Sequence, residues 1–233
     1  MLLDAPQTRP RPAVPFRVGL ACAVLAAVLL VLVVAEWGPL MALDRSIARG
    51  LHRRAVADPG LTHAVRILSD WVWDPWAMRA LLAVVVVVLV RRGDRLLALW
   101  VAATSAFGTA VQQGLKAAVD RDRPHWTDPV ASAGYAAFPS GHALTVTVAF
   151  GLLAWLCALH GAGRTARTAV FAAGALSALG VGFTRLFLGV HWLSDVVGGW
   201  LIGVVIVALA AAAHRHMPLN RPLAHRSLPN RCS

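Results

Sequence analysis

Charged residues are scarce in this chain, 14% of 233 residues against about 25% in ordinary soluble domains, while hydrophobic residues reach 58% against roughly 45 to 50%. That balance excludes a disordered chain and argues against a soluble globular fold. Cysteine is rare as well. Of the three, Cys22 and Cys157 stand inside apolar runs and Cys232 lies in the tail, with no C-x-x-C spacing, so neither a disulfide framework nor a metal site follows. No Gly-x-y period accompanies the 19 Gly and 13 Pro, and the single low-complexity tract is Leu81 to Val90, which removes a fibrous reading. The length allows one domain. Although the net charge is +11, the arginines flank apolar runs instead of clustering on one face among aromatics, so nucleic acid is not the expected partner. What remains is an all-α membrane protein.

Apolar stretches run over Val18 to Ala35, Trp76 to Val90, Leu96 to Leu115, Ala143 to Leu159, Ala169 to Phe183 and Trp192 to Ala213. A crossing helix needs about 20 apolar residues, with a range of about 17 to 25. Six transmembrane helices are expected, the second starting near Trp71 and the fifth running past Arg185 to Leu188. The first stretch follows Arg9, Arg11 and Arg17 and ends in Val33-Val34-Ala35, as a signal peptide would, but its apolar length favours a retained anchor. Between the first two spans, Leu43 to Leu51 and Leu61 to Trp73 have the pattern of short amphipathic helices resting on the membrane surface. Residues 1–17 and 214–233 are expected to be polar tails around a membrane domain at 18–213. Arginines bias the orientation modestly toward cytoplasmic termini. Parity is firmer than the bias: the loop after span three and the loop after span five share one membrane face.

Those two loops hold the residues suited to chemistry. Lys116 and Arg123-Pro124 follow span three, Pro139-Ser140-Gly141-His142 opens span four, and Arg185, His191 and Asp195 link spans five and six. Three cations at the ends of three spans suit the several oxygens of a phosphate, though each alone could simply snorkel to the headgroups. Lys116 is the only lysine of the chain, as a position wanting a compact point charge would have it. Ser140 stands where a helix N-cap would, ahead of free N–H groups that favour an anion, and a plain helix start would look the same. His191 and Asp195 are four apart, so on a helix the carboxylate would orient one ring nitrogen and leave the other basic. A structural His-Asp cap shares that spacing. Asp120, Asp122 and Asp128 lack EF-hand spacing and are expected to solvate their loop, with no metal held.

Together these segments resemble the type 2 phosphatidic acid phosphatase superfamily, whose three motifs are Lys-x6-Arg-Pro, Pro-Ser-Gly-His and Ser-Arg-x5-His-x3-Asp. Thr184 replaces the usual Ser of the third, keeping a hydroxyl. The resemblance implies a metal-independent, cofactor-free phosphatase acting on lipid phosphates or pyrophosphates drawn from the bilayer. By the same resemblance His191 attacks phosphorus, Asp195 holds its ring, and His142 protonates the leaving oxygen and then activates water. Lys116, Arg123, Arg185 and the backbone N–H groups of Ser140 and Gly141 would hold the phosphoryl oxygens. With cytoplasmic termini, the site of such an enzyme in the plasma membrane faces outward. A lipid phosphotransferase using the same histidine and a non-enzymatic anion-binding membrane protein are the alternatives.

Overall fold

The computed structural model describes residues 16–215. Eight α-helices follow one another without an intervening strand among these residues: α1 (Phe16–Val34), α2 (Gly38–Ala57), α3 (Pro59–Ile67), α4 (Pro75–Arg91), α5 (Arg95–Val119), α6 (Gly141–Leu159), α7 (Arg164–Phe187) and α8 (Leu193–Arg215). A π-helical turn, Leu68–Val72, continues α3 toward α4. The expected tails at 1–15 and 216–233 lie outside the described residues, with Arg9, Arg11 and Cys232 among them. Phe16 and Arg17 belong to α1, and His214 and Arg215 to α8, so the helices extend two residues into each expected tail.

Local chemistry sets the helix ends. Pro59 opens α3, and the Asp58 carboxylate accepts the Leu61 N–H at 2.9 Å. Asp74 does the same for α4, accepting from Trp76 N–H at 2.7 Å, so α4 begins at Pro75 and not near Trp71. In α2 the buried residues Asp44, Ala48, His52 and Ala55 recur at helical spacing. The amphipathic helix anticipated at Leu43 to Leu51 is therefore longer at both ends. The second, expected over Leu61 to Trp73, is divided between α3 and the π turn.

Among the described residues five segments are long and apolar enough to cross a membrane: α1, the stretch Pro59–Arg91, α6, α7 and α8. They correspond to five of the six expected spans. The remaining helix, α5, has 25 residues but carries Gln112, Gln113 and Lys116 in its last turns, and it is not among the five. α7 runs past Arg185, as anticipated.

α6 is the central helix, packed between α7 and α8, while α1 lies against α8. Leu144, Val146 and Leu152 of α6 join Val101, Val181 and Val196 in a fully buried core. α8 approaches α6 closely because of its glycines: a Cβ on Gly199 would lie 2.7 Å from the Ser140 carbonyl oxygen. Large apolar side chains face outward instead, including Leu20, Val24 and Val28 on α1 and Phe171, Leu176 and Leu179 on α7. A bilayer covers such a surface, whereas water would not.

Candidate active site

The three sequence segments meet at one end of the bundle. Lys116 lies in the last turn of α5, which Asp120 ends in the left-handed conformation at φ 42°. Ser140, Gly141 and His142 form the start of α6, Arg185 the last turn of α7, and Asp195 the first turn of α8. Lys116, Ser140, Arg185, His191 and Asp195 are all buried. His142 is near enough to Arg185, His191, Arg123 and Lys116 to interact with them electrostatically.

His191 sits in the link between α7 and α8, two residues ahead of α8 rather than on it. Its pairing with Asp195 survives because the link doubles back at Gly189, whose φ is 67°. The space there is also closed to a side chain, since a Cβ on Gly189 would lie 2.5 Å from Trp126 Nε1. Trp126 Nε1–H donates to the Gly189 carbonyl at 2.8 Å and ties the link to the loop after α5. His191 Nδ1 lies 3.3 Å from Asp195 Oδ2, which also accepts the Trp192 N–H at 2.9 Å. With Nδ1–H directed at the carboxylate, Nε2 is the acceptor, and Arg123 Nη1 approaches it at 3.1 Å. Burial, and then the charges of Arg123, Arg185 and Lys116, hold the His191 pKa well below the usual imidazole value. The ring is neutral at physiological pH, as a nucleophile or base requires.

Main-chain oxygens fix two of the three cations, Arg123 and Lys116. Arg123 donates through Nε to Tyr135 O at 2.8 Å, through Nη2 to Gly134 O at 3.0 Å and Ala136 O at 3.4 Å, and through Nη1 to Val190 O at 2.6 Å. Lys116 Nζ also donates to Ala136 O. Arg185 Nη1 donates to Ser69 Oγ at 2.8 Å, while its Nε is buried without a partner among the described residues. Ser140 occupies the N-cap position as anticipated, but its hydroxyl does not cap the helix. Its backbone N–H, expected to be free for an anion, donates instead to the Asp195 carbonyl at 2.9 Å. The Ser140 hydroxyl, like Arg185 Nε, is buried without a partner among the described residues. His142 Nε2 lies 3.9 Å from Asp74 Oδ2, beyond hydrogen-bond distance but close enough for a charge to be felt.

Residues 97–217 match the PAP2 superfamily, just over half of the chain. The chain belongs to that superfamily. All eight anticipated site residues of this PAP2 chain fall within the matched stretch. It is 30% identical over 107 residues to phosphatidylglycerophosphatase B of Bacillus subtilis (strain 168), covering 44% of this chain and 52% of that protein. Lipid A 1-phosphatase of Rhizobium etli is 32% identical over 143 residues, covering 54% and 57% respectively. Undecaprenyl-diphosphatase of Sulfolobus acidocaldarius is 32% identical over 84 residues, 36% of each chain. The matches thus span between about a third and just over half of those relatives. In fold, the chain is similar to the crystal structure of a transmembrane PAP2 type phosphatidylglycerolphosphate phosphatase from Bacillus subtilis. The TM-score is 0.76 at 18% identity, covering 87% of this chain and 98% of that one.

Several residues of this candidate site were not anticipated. Arg121, which had no assigned role, joins Asp44 of α2 to Asp195 of α8. Ser69 and Asp74 come from the segment around the π turn, and nothing in their spacing signals that they approach Arg185 and His142. Asp44 did leave a signal: it is an acidic residue on the face of α2 that also carries Ala48 and Ala55. The Thr184 hydroxyl donates to its own helix at Val181 O, 3.0 Å. Asp120, Asp122 and Asp128 are exposed, and among the described residues no three His, Cys, Asp or Glu gather as a metal site would require.

Proposed function

We propose that this chain is an integral membrane phosphatase that hydrolyses lipid phosphates or pyrophosphates through a phosphohistidine. The carrying observation is the His191 ring, oriented by Asp195 on one nitrogen and facing Arg123 with the other. A structural His-Asp cap would need neither the buried cations nor a second histidine within their reach.

In the first step His191 Nε2 attacks phosphorus, a P–N bond forms, and the P–O bond to the lipid breaks. His142 gives the departing oxygen its proton. Asp195 stabilises the positive ring while Lys116, Arg123, Arg185, the Ser140 hydroxyl and the Gly141 N–H hold the phosphoryl oxygens. In the second step His142 takes a proton from water, the oxygen attacks phosphorus, and the P–N bond breaks to release inorganic phosphate and free His191. Positive side chains supply the charge stabilisation that a metal ion supplies elsewhere, so no cofactor is required.

A site at the end of an apolar bundle suits a substrate whose headgroup enters while its tail stays in lipid. The names of the relatives support that class: phosphatidylglycerophosphatase, lipid A 1-phosphatase and undecaprenyl-diphosphatase. In this reading α5 is the sixth crossing of a membrane domain, both termini are cytoplasmic, and the site opens on the outer face of the plasma membrane. The test is phosphate release by purified protein in detergent from phosphatidylglycerol phosphate, phosphatidic acid and undecaprenyl pyrophosphate, beside His191→Ala. Release that the substitution abolishes supports the reading. Appearance of a phosphorylated alcohol when an acceptor is added, with no inorganic phosphate released in its absence, makes the protein a phosphotransferase, and no transfer to either water or alcohol leaves an anion-binding scaffold.

A further inference from the structure

Arg121 lies on the side of Asp195 away from the reacting nitrogen of His191. Its Nη1 donates to Asp195 Oδ1 at 2.6 Å and to Ser194 Oγ at 2.7 Å, and its Nη2 to Asp44 Oδ2 at 2.8 Å. Asp44 in turn accepts the Ser194 N–H at 3.0 Å and the Ser194 hydroxyl, and it is fully buried. Trp192 covers the guanidinium, whose carbon lies 5.7 Å from the ring centroid.

We propose that Arg121 is a positioning residue for the phosphatase reaction, held by Asp44 of the amphipathic helix α2 and acting through Asp195 on the tautomer of His191. This inference rests on the function proposed above. The geometry divides the labour of one carboxylate. Oδ1 is engaged by Arg121, which leaves Oδ2 directed at the Trp192 N–H and His191 Nδ1. A carboxylate with Oδ1 released could rotate, and the buried ring would then lose the acceptor that keeps its proton on Nδ1. Charge explains the second acid. Arg121 alone would cancel Asp195, leaving nothing to balance the positive ring of a phosphohistidine. With Asp44 neutralising Arg121, the negative charge of Asp195 stays available to His191. Arg121 acts through these partners: its terminal nitrogens are ion-paired to two buried carboxylates, which a phosphoryl group of the same sign would not displace as it can displace the neutral carbonyls around Arg123.

Arg121→Ala would leave two buried acids without their cation and could prevent folding. Arg121→Lys, which keeps charge but not the fork, and the isosteric Asp44→Asn are therefore the variants to compare with native protein. Two readouts are needed, hydrolysis of nitrophenyl phosphate in detergent and nitrogen NMR of histidine-labelled protein, with His191 assigned by the spectrum of His191→Gln. Both variants are expected to lower kcat on the order of 100-fold, short of the ~10⁴ lost when an orienting carboxylate is itself neutralised, with KM nearly unchanged. The His191 signal should pass from the Nδ1–H form to a mixture of tautomers. A risen KM with native kcat, or folded variants that keep the native tautomer, would overturn the proposal. Native protein that releases no phosphate from any substrate sinks the enzyme reading, while the tautomer comparison still decides the role of Arg121.

Discussion

Arg123 Nη1 stands 3.1 Å from His191 Nε2, so the nitrogen assigned to attack phosphorus is already addressed by the cation assigned to hold the phosphoryl group. The rest of that guanidinium is bound to the carbonyls of Gly134, Tyr135, Ala136 and Val190. Phosphoryl oxygens must replace some of those carbonyls, and only a planar fork can keep the remainder while doing so. Arg123→Lys is expected to lower kcat/KM for nitrophenyl phosphate about 100-fold, the equivalent of roughly 3 kcal/mol. A lysine variant within threefold of native would show that the fork is not used.

The depressed pKa of His191 sets the direction of two pH effects. Its ring stays neutral in the folded protein below the ordinary value of 6.5, because burial and the charges of Arg123, Arg185 and Lys116 oppose a proton. The acid limb of kcat/KM due to this residue should therefore fall well below pH 6.5. For stability, the unfolded chain takes up a proton that the folded ring refuses, so native stability is full above about 6.5 and declines as pH drops through the window down to the folded value. One residue contributes at most about 1.4 kcal/mol per pH unit there. Burial lowers the pKa of His52 too, although the Asp128 charge opposes the shift, so the test is a difference: His191→Gln should flatten the curve of Tm against pH below 6.5. An unchanged slope would mean that His191 charges freely in the fold.

Added EDTA should leave phosphate release unchanged. Charge at the site comes from Lys116, Arg123 and Arg185, and the three acids of the loop after α5 are exposed and not gathered into a ligand set. Loss of activity on chelation, restored by one divalent ion, would reverse this.

Most of the candidate site was legible in the sequence because its residues stand at fixed offsets inside apolar punctuation: Lys116 and Arg123 after one run, Ser140 to His142 opening another, Arg185 to Asp195 between two more. Helix parity then placed both loops on one face without knowledge of packing. What escaped was contact between elements distant in sequence. Asp44 precedes Arg121 by 77 residues, and no periodicity records that the two meet. The Ser140 backbone was misjudged for a related reason. A helix start exposes N–H groups in isolation, but here α8 crosses so closely that the Asp195 carbonyl takes one of them. The apolar stretch Trp76 to Val90 matches α4 to one residue at each end, while the start expected near Trp71 falls in the π turn, which Asp74 separates from α4 by capping it.

That close crossing predicts opposite outcomes for two glycines. A methyl on Gly199 would meet the Ser140 carbonyl oxygen at 2.7 Å, Ala143 Cβ at 3.0 Å and the Leu144 nitrogen at 3.1 Å, and backbone cannot step aside without moving the start of α6. Gly199→Ala should cost about 1 to 3 kcal/mol, seen as a lower Tm in detergent, and should remove activity as the Ser140 to Asp195 bond is pushed apart. A methyl on Gly141 meets only the amide end of Gln112, at 2.5 to 3.3 Å, which can swing away. Gly141→Ala should leave Tm within a few degrees of native. Equal losses at the two positions would mean that α8 does not hold the site by its approach to α6.

The assignment of His142 as proton donor is tested by the leaving group. Its ring sits at the start of α6, 3.9 Å from Asp74, while the nucleophile is carried by the link between α7 and α8. A lipid alkoxide is a poor leaving group and needs a proton as the P–O bond breaks, whereas nitrophenolate departs without one. His142→Ala should therefore slow hydrolysis of phosphatidic acid by about 10² to 10⁴, the range ascribed to general acid catalysis, and should spare formation of the phosphoenzyme from nitrophenyl phosphate. Breakdown of that phosphoenzyme should remain slow, because the same ring must then take a proton from water. The expected signature is a burst of nitrophenol followed by a reduced steady rate, with labelled phosphate accumulating on the protein. If both substrates lost rate equally and no phosphoenzyme accumulated, His142 would be a binding residue for the phosphoryl group and the acid would have to be sought elsewhere.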